Sequence, residues 1–301
     1  MRAAGADRYE TAAVISEGSF APSPGSSVFV TSGEAPADAL TAGPAAASLD
    51  APLLLTPGAS LAPAAAAEIT RLTPATVYVV GGADRVSDAV LTAIRAAAPA
   101  ATVTRVSGTT RYDTAVAVAQ TFFPTPKGVV VTRGDTFPDA LSGGAAAAAA
   151  GVPLMLTDPA ALPAPVSTWL QGKTFAAAVV VGGTSSVSES AAAAVASHVS
   201  DATQVTRLAG ADRYATSAAV ASAAFADSTT ALIATGEDFP DALAGVPAAA
   251  VNQAPILLVR STCTPLPVLD YVAGNKALTG EIVLGGPAVV TADSLLTNCA
   301  S

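Results

Sequence analysis

Four short motifs recur three times along this chain, in the same order and about 102 residues apart. Ala4-Gly-Ala-Asp7-Arg8-Tyr9 returns as Gly108-Thr-Thr-Arg111-Tyr112 and as Ala209-Gly-Ala-Asp212-Arg213-Tyr214. Gly33-Glu-Ala-Pro-Ala-Asp38 returns as Gly134-Asp-Thr-Phe-Pro-Asp139 and Gly236-Glu-Asp-Phe-Pro-Asp241, each followed by Ala-Leu. Leu53-Leu54-Leu55 matches Leu154-Met155-Leu156 and Ile256-Leu257-Leu258, and Gly-Gly pairs follow at 81, 182 and 285. Repeats of this size divide the 301 residues into units 1–102, 103–204 and 205–301. Each is long enough to bury a core of its own. A catalytic constellation is needed once, so three equivalent copies point first to binding or scaffolding and only second to an enzyme.

Within a unit, short apolar runs alternate with alanine-rich helical stretches. In repeat two the runs are 103–106, 129–132, 153–156 and 178–181, rich in β-branched residues and mostly without apolar/polar alternation. Strands covered on both faces read this way, as in parallel sheets. Stretches of helical length fill the gaps, at 111–123, 138–150, 163–170 and 188–198. Pro138 and Pro240 suit a first helical turn, and the adjacent Asp139 and Asp241 suit the positive end of its dipole. The expected class is α/β: three tandem Rossmann-like βαβ sandwich units with parallel sheets. No Pro/Gly/Ser linker separates the units, so they must touch. Closure into a pseudo-threefold ring leaves no copy of the interface unpaired, which makes an intramolecular trimer, monomeric as a chain, the expected packing.

Composition narrows the function. The hydrophobic share of 51% is carried largely by alanine. The most membrane-like stretch, Leu141–Leu156, contains Ser142, Gly143, Gly144, Gly151 and Pro153, and its copy in repeat three carries Asn252 and Gln253, so no transmembrane segment is expected. No basic-then-apolar leader opens the chain. Met1-Arg2 falls midway through a strand pattern, as if the chain were cut from a longer polypeptide with further domains. A net charge of −9 argues against nucleic-acid binding. Cys263 and Cys299 have no histidine nearby and make no zinc pattern; in an exported chain they read as a disulfide, otherwise as two buried thiols. No cofactor motif is present, since the Gly-Gly loops lack the dinucleotide fingerprint. His198, the single histidine, reads as a solvated helix-end residue.

The chemistry that remains is arginine chemistry. Six of the eleven arginines, Arg2, Arg8, Arg105, Arg111, Arg207 and Arg213, fall at two equivalent positions in the three repeats. A guanidinium offers a planar fork for carboxylate or phosphate. Against that stands a structural reading, an ion pair of Arg8 with Asp38 and of their copies, tying helix to loop. The aspartates Asp38, Asp139 and Asp241 alone read first as helix-start residues. The Leu-Leu-Leu runs read most simply as the central buried strand of each sheet.

Taken together, Asp-Arg-Tyr-x-Thr-Ala, Gly-Glu-x-Phe-Pro-Asp-Ala-Leu, Pro-Ile-Leu-Leu and Val-Val-Gly-Gly resemble the cell wall-binding repeat type 2 family of Gram-positive bacteria, over essentially the whole chain. That resemblance implies an extracellular, wall-anchoring module that grips an anionic cell-wall polysaccharide non-covalently, with any enzymatic activity in a separate domain. The family's Ile-Leu-Leu motif, linked to wall retention, is matched in full by Ile256, Leu257 and Leu258. Repeat two departs by Thr110 in place of Asp7 and Asp212. Repeat one carries Ala35 and Ala37 where Phe and a preceding residue are expected, which marks its site as degenerate. The implied ligand-binding set is the six repeated arginines, the three aspartates and Ile256-Leu257-Leu258. A wall hydrolase with a composite site at a repeat interface and a surface-layer tile are the alternatives; matching polar residues in three copies disfavour the first, because a reaction needs distinct acid and base roles.

Overall fold

The computed structural model describes residues 1–291 and 298–299. Repeat one contains β1 (Arg2–Ala3), α1 (Arg8–Ser19), β2 (Ser27–Ser32), α2 (Pro36–Ala39), α3 (Ala42–Ala47), β3 (Leu53–Thr56), α4 (Pro63–Leu72), β4 (Thr76–Val80) and α5 (Asp88–Ala97). Repeat two contains β5 (Thr102–Val106), α6 (Arg111–Phe122), β6 (Gly128–Arg133), α7 (Pro138–Ala150), β7 (Leu154–Thr157), α8 (Ala164–Leu170), β8 (Ala177–Val181) and α9 (Glu189–Ala196). Repeat three contains β9 (Val205–Leu208), α10 (Arg213–Ala224), β10 (Thr230–Thr235), α11 (Pro240–Val251), β11 (Ile256–Val259), α12 (Leu266–Gly274) and β12 (Gly280–Leu284).

The strands form three parallel four-stranded sheets, ordered β3-β2-β4-β5, β7-β6-β8-β9 and β11-β10-β12-β1. The first strand of every repeat therefore completes a neighbour's sheet. Thr102–Val106 pairs with β4, Val205–Leu208 with β8, and Arg2–Ala3 at the start of the chain with β12 near its end. This exchange closes the three units into a ring with no free copy of the interface. The sequence divisions 1–102, 103–204 and 205–301 cut close to these strands, which belong by sequence to one repeat and by hydrogen bonding to another.

Helices α3, α7 and α11 pack against one another at the centre of the ring. At the equivalent positions Gly43, Gly144 and Val246 they meet on the axis. A Cβ on Gly43 would lie 2.7 Å from the Val246 side chain, and one on Gly144 3.4 Å from it. The axis thus has room for one side chain, and two glycines leave that room. Each central helix ends on a left-handed residue, Asp50, Gly151 or Gln253. The next N–H in each case bonds back to Ala46, Ala147 or Ala249, which satisfies the carbonyls a helix end leaves unpaired.

One expectation changes here. The strands Leu53–Leu55, Leu154–Leu156 and Ile256–Leu258 are edge strands in hydrogen-bond order, not central ones. They are wholly buried because helices cover the exposed edge, including the central helix of an adjacent unit: α11 lies on β3 and α7 on β11. The unpaired edge of β11 is partly capped by a side chain, since the Leu258 N–H donates to Ser217 Oγ of α10 at 3.2 Å. One core cluster runs through all three units, so they fold as one body.

Candidate functional site

The loops at the carboxyl ends of the strands lie where open α/β sheets place ligands. There the N-terminus of α1, α6 or α10 from one repeat meets the N-terminus of the central helix from the repeat before it. Three equivalent junctions result around the ring, and the one between repeats two and three encloses a cleft.

On one side of each cleft, Arg8, Arg111 or Arg213 opens a helix. Its Nη1 donates to the carbonyl of Gly33 (2.6 Å), Gly134 (2.6 Å) or Gly236 in its own repeat. That glycine is required by the neighbouring tyrosine: a Cβ on Gly33 or Gly236 would come within 2.7 Å of the ring of Tyr9 or Tyr214. The other side of the cleft presents the buried or half-buried carboxylates of Asp38, Asp139 and Asp241. Beside them runs the Gly-Gly loop, where Gly81, Gly182 and Gly285 have φ of 122°, 114° and 95°. A Cβ at Gly182 would meet Asp139 Oδ2 at 2.7 Å, so left-handed backbone and the adjacent carboxylate both call for glycine.

The pairing is cyclic. Arg8 does not pair with Asp38 of its own repeat; it acts on Asp241, while Arg111 acts on Asp38 and Arg213 on Asp139. Every arginine thus faces the aspartate of the preceding repeat, and sequence could not show this because the partners become neighbours only when the ring closes. Burial pushes the carboxyls of Asp38 and Asp139 above the usual range. Hydroxyls of Thr114 at Asp38, and of Ser186 and Thr216 at Asp139, oppose the rise, as do the facing arginines. Asp241 is pushed up to about 6 by burial and by Asp238, with only Arg8 opposing.

The other predicted residues play different parts. Arg2, Arg105 and Arg207 brace the Gly-Gly loops: their Nη1 atoms donate to the carbonyls of Gly285 (2.6 Å), Gly81 (2.7 Å) and Gly182 (2.9 Å). Their Nη2 atoms reach Val290 O, Asp88 and Glu189. These three arginines hold the Gly-Gly loops in place. Ile256, Leu257 and Leu258 are at most 1% exposed and have no surface to offer a ligand; their place is in the shared core. Cys263 and Cys299 form a disulfide that ties the far end of the chain to the loop after β11. His198 is half-buried just beyond α9.

Repeat one departs from the others differently than the sequence suggested. Counting back from Asp38, Pro36 occupies the place of Phe137 and Phe239, and Ala37 that of Pro138 and Pro240. Its central helix is split into α2 and α3, whereas α7 and α11 are continuous. Phe137 and Phe239 contact one another at 5.8 Å, and each also lies under the arginine across its cleft, Arg213 at 5.9 Å and Arg8 at 5.7 Å. The cleft between repeats two and three has a volume of about 270 Å³, lined by Arg133, Asp139, Ser185, Ser186, Arg213 and Thr216 among others. Sequence reading missed Arg85 and Arg133, which act on Asp38 and Asp139, because each occurs in one repeat only. It also passed over Thr11, Thr114 and Thr216, although that threonine recurs in all three Arg-Tyr-x-Thr motifs. Each accepts the N–H of Gly5, Gly108 or Gly210 at 3.0–3.1 Å.

Three parallel α/β units closed into a ring with repeated interfacial clefts define a modular binding protein. The model of cell wall binding domain 2 matches residues 2–91, 105–192 and 207–295, and the chain belongs to that family. An N-acetylmuramoyl-L-alanine amidase of Bacillus subtilis is 28% identical over 291 residues, covering 96% of this chain and 56% of the relative. The amidase enhancer of the same bacterium is 27% identical over 292 residues, covering 97% and 39%. Among solved structures, Cwp6 of Clostridium difficile superposes with a TM-score of 0.87 at 26% identity, covering 95% of this chain and 45% of that one. Cwp8 of the same species gives 0.86 at 29%, covering 96% and 49%. The chain spans about half the length of these relatives or less. Its likeness to the amidase lies in the wall-binding repeats, and the chain is a cell-wall-associated binding module of surface proteins, not a catalytic domain. Among the described residues no helix is long and apolar enough to cross a membrane.

Proposed function

We propose that this module anchors a larger surface protein by holding an anionic wall polysaccharide in the clefts between its repeats. The observation that carries the reading is the state of Arg111 and Arg213. One edge of each guanidinium is fixed by its glycine carbonyl. Among the described residues neither makes an ion pair with a carboxylate within 4 Å, and both side chains are half-exposed at the cleft. A guanidinium held in position with no carboxylate in contact suits an incoming carboxylate or phosphate. The raised Asp139 carboxyl, with Ser185 and Ser186 nearby, suits the hydroxyls of a sugar. An overall acidic chain can hold a polyanion only through local cationic sites, and several linked weak sites supply avidity.

Pelleting with purified walls tests the reading. The module should sediment with walls that carry their anionic polysaccharide and stay in solution with walls stripped of it. Retention should fall as salt rises, since exposed ionic contacts are screened over about 8–10 Å at physiological strength. Arg111→Gln combined with Arg213→Gln should release the module while its melting temperature stays near wild type. Equal binding to stripped walls would overturn the polysaccharide reading, and full retention by the folded double variant would place the contact surface elsewhere.

A further inference from the structure

The three junctions share a plan, and among the positions where they differ one carries a charge in a single repeat. The residue two before the central-helix Phe or Pro-Asp start is a loop glutamate or aspartate in every repeat, yet the residue after it is Ala35, Thr136 or Asp238. At the junction of repeats three and one this position faces the arginine of the following repeat, and at the junction of two and three Thr136 lines the same cleft as Arg213. Asp238 Oδ2 lies 3.3 Å from Arg8 Nη2 across the junction of repeats three and one. Thr136 and Ala35, at the junctions of two with three and one with two, cannot make that bond to Arg213 and Arg111. The charges around the three central-helix aspartates follow the same division. Arg85 and Arg111 act on Asp38 with Asp84 opposing them, and Arg213 and Arg133 act on Asp139, Arg133 being itself paired with Asp135; Arg8 alone acts on Asp241, beside the carboxylate of Asp238.

Resting on the reading that the clefts take anionic groups, we propose that only two of them do so: the clefts at Ala35/Arg111 and Thr136/Arg213 are open to the polyanion, and Asp238 closes the third by occupying Arg8. The strength of the Arg8–Asp238 bond is not what excludes the ligand, since half-exposed ion pairs contribute little. What excludes it is charge: an anion entering there meets two carboxylates, Asp238 and Asp241, for a single arginine, and like charges at contact distance repel. In the other two clefts Arg111 and Arg213 have no carboxylate within 4 Å among the described residues, and the additional arginines, Arg85 and Arg133, are balanced by Asp84 and Asp135, so an arriving anion meets no excess of acid there. The polysaccharide therefore runs over one side of the ring, across repeats one, two and three in chain order, and leaves the closing junction bare. That junction is the one sealed by the pairing of β1 with β12, so its arginine and carboxylate serve to join the first repeat to the last.

The test moves the carboxylate without touching the arginines. Asp238 and Thr136 are exposed and Ala35 half-exposed, all in loops or at a helix start, so the variants should fold, which a thermal melt confirms for each. With walls bearing their anionic polysaccharide, Thr136→Asp and Ala35→Asp should each weaken binding on the order of tenfold, the scale of one lost charge-assisted contact. Asp238→Asn should strengthen binding by about threefold or more, because a third site joins the set. All three effects should shrink at 0.5 M NaCl, where charge is screened. Wild-type strength in Thr136→Asp and Ala35→Asp, or no gain in Asp238→Asn, would overturn the proposal while polysaccharide-dependent wild-type pelleting kept the broader reading intact. Polysaccharide-independent pelleting of the wild type would instead remove the broader reading, and this one with it.

Discussion

Replacing Asp241 by asparagine should stabilise the protein near neutral pH, and the gain should disappear in acid. Asp241 is 8% exposed, and its carboxyl is pushed up to about 6 by burial and by Asp238, with Arg8 alone in opposition. In the unfolded chain the same group has its ordinary value near 3.8. Below about pH 4 the carboxyl is protonated in both states and costs nothing. Between about 4 and 6 the folded state holds the proton more tightly, so stability falls as pH rises. Above about 6 both states are ionised and the full cost of the buried charge is present. A shift of roughly two units corresponds to about 3 kcal/mol at 1.36 kcal/mol per unit. Asparagine keeps the shape but gives up the attraction of a carboxylate to the helix N-terminus, about 0.3–1 kcal/mol. The net gain at pH 7.5 is about 2 kcal/mol, which raises Tm by roughly 4 °C in a cooperative unit of this size. Thermal melts of wild type and Asp241→Asn from pH 4 to 8 measure it directly. Asp139→Asn should gain less, because Ser186, Thr216 and two arginines already oppose the rise at Asp139. An Asp241→Asn variant no more stable than wild type at pH 7.5, or a difference that does not change with pH, would refute the argument.

Three further outcomes are expected. Glu68 is 1% exposed, joined to Arg71 Nε at 2.6 Å and Nη2 at 2.7 Å and to the Ser16 hydroxyl, so Glu68→Ala should cost about 1–3 kcal/mol in urea unfolding by leaving the buried Ser16 hydroxyl without its partner and opening the seam of α1 with α4; no measurable loss would contradict it. Removing both cysteines frees a loop closed across 36 residues and should cost just under 4 kcal/mol in the chain-entropy model, seen as a lower urea midpoint than that of the oxidised protein. Arg2→Gln removes bonds to Gly285 and Val290, so amide hydrogen exchange should quicken at residues 280–290 of repeat three and stay unchanged at residues 8–97 of repeat one; the reverse pattern would undo the ring closure.

Sequence alone determined the local parts of this protein. The triple recurrence set the number of units, and β-branched runs without alternation set parallel, doubly covered strands. Prolines at 138 and 240 marked where the central helices begin, since a missing N–H is harmless there and a fixed φ is helpful. The motif set was enough to reach the wall-binding family. These features are legible because they depend on residues a few positions apart. What sequence left open depends on which groups become neighbours only when the repeats pack together. Arg8 and Asp38 recur together in every repeat, yet ring closure puts Arg8 beside Asp238 and Asp241 instead. The Leu-Leu-Leu runs look like central strands because they are wholly apolar, but an edge strand is just as dry when an adjacent unit's helix covers it. Arg2, Arg105 and Arg207 recur as regularly as the cleft arginines, and only their carbonyl partners in the Gly-Gly loops show that they brace the fold. Recurrence reports that a residue is needed in each unit; whether it serves the packing or the cleft is decided by which side of the interface its guanidinium reaches.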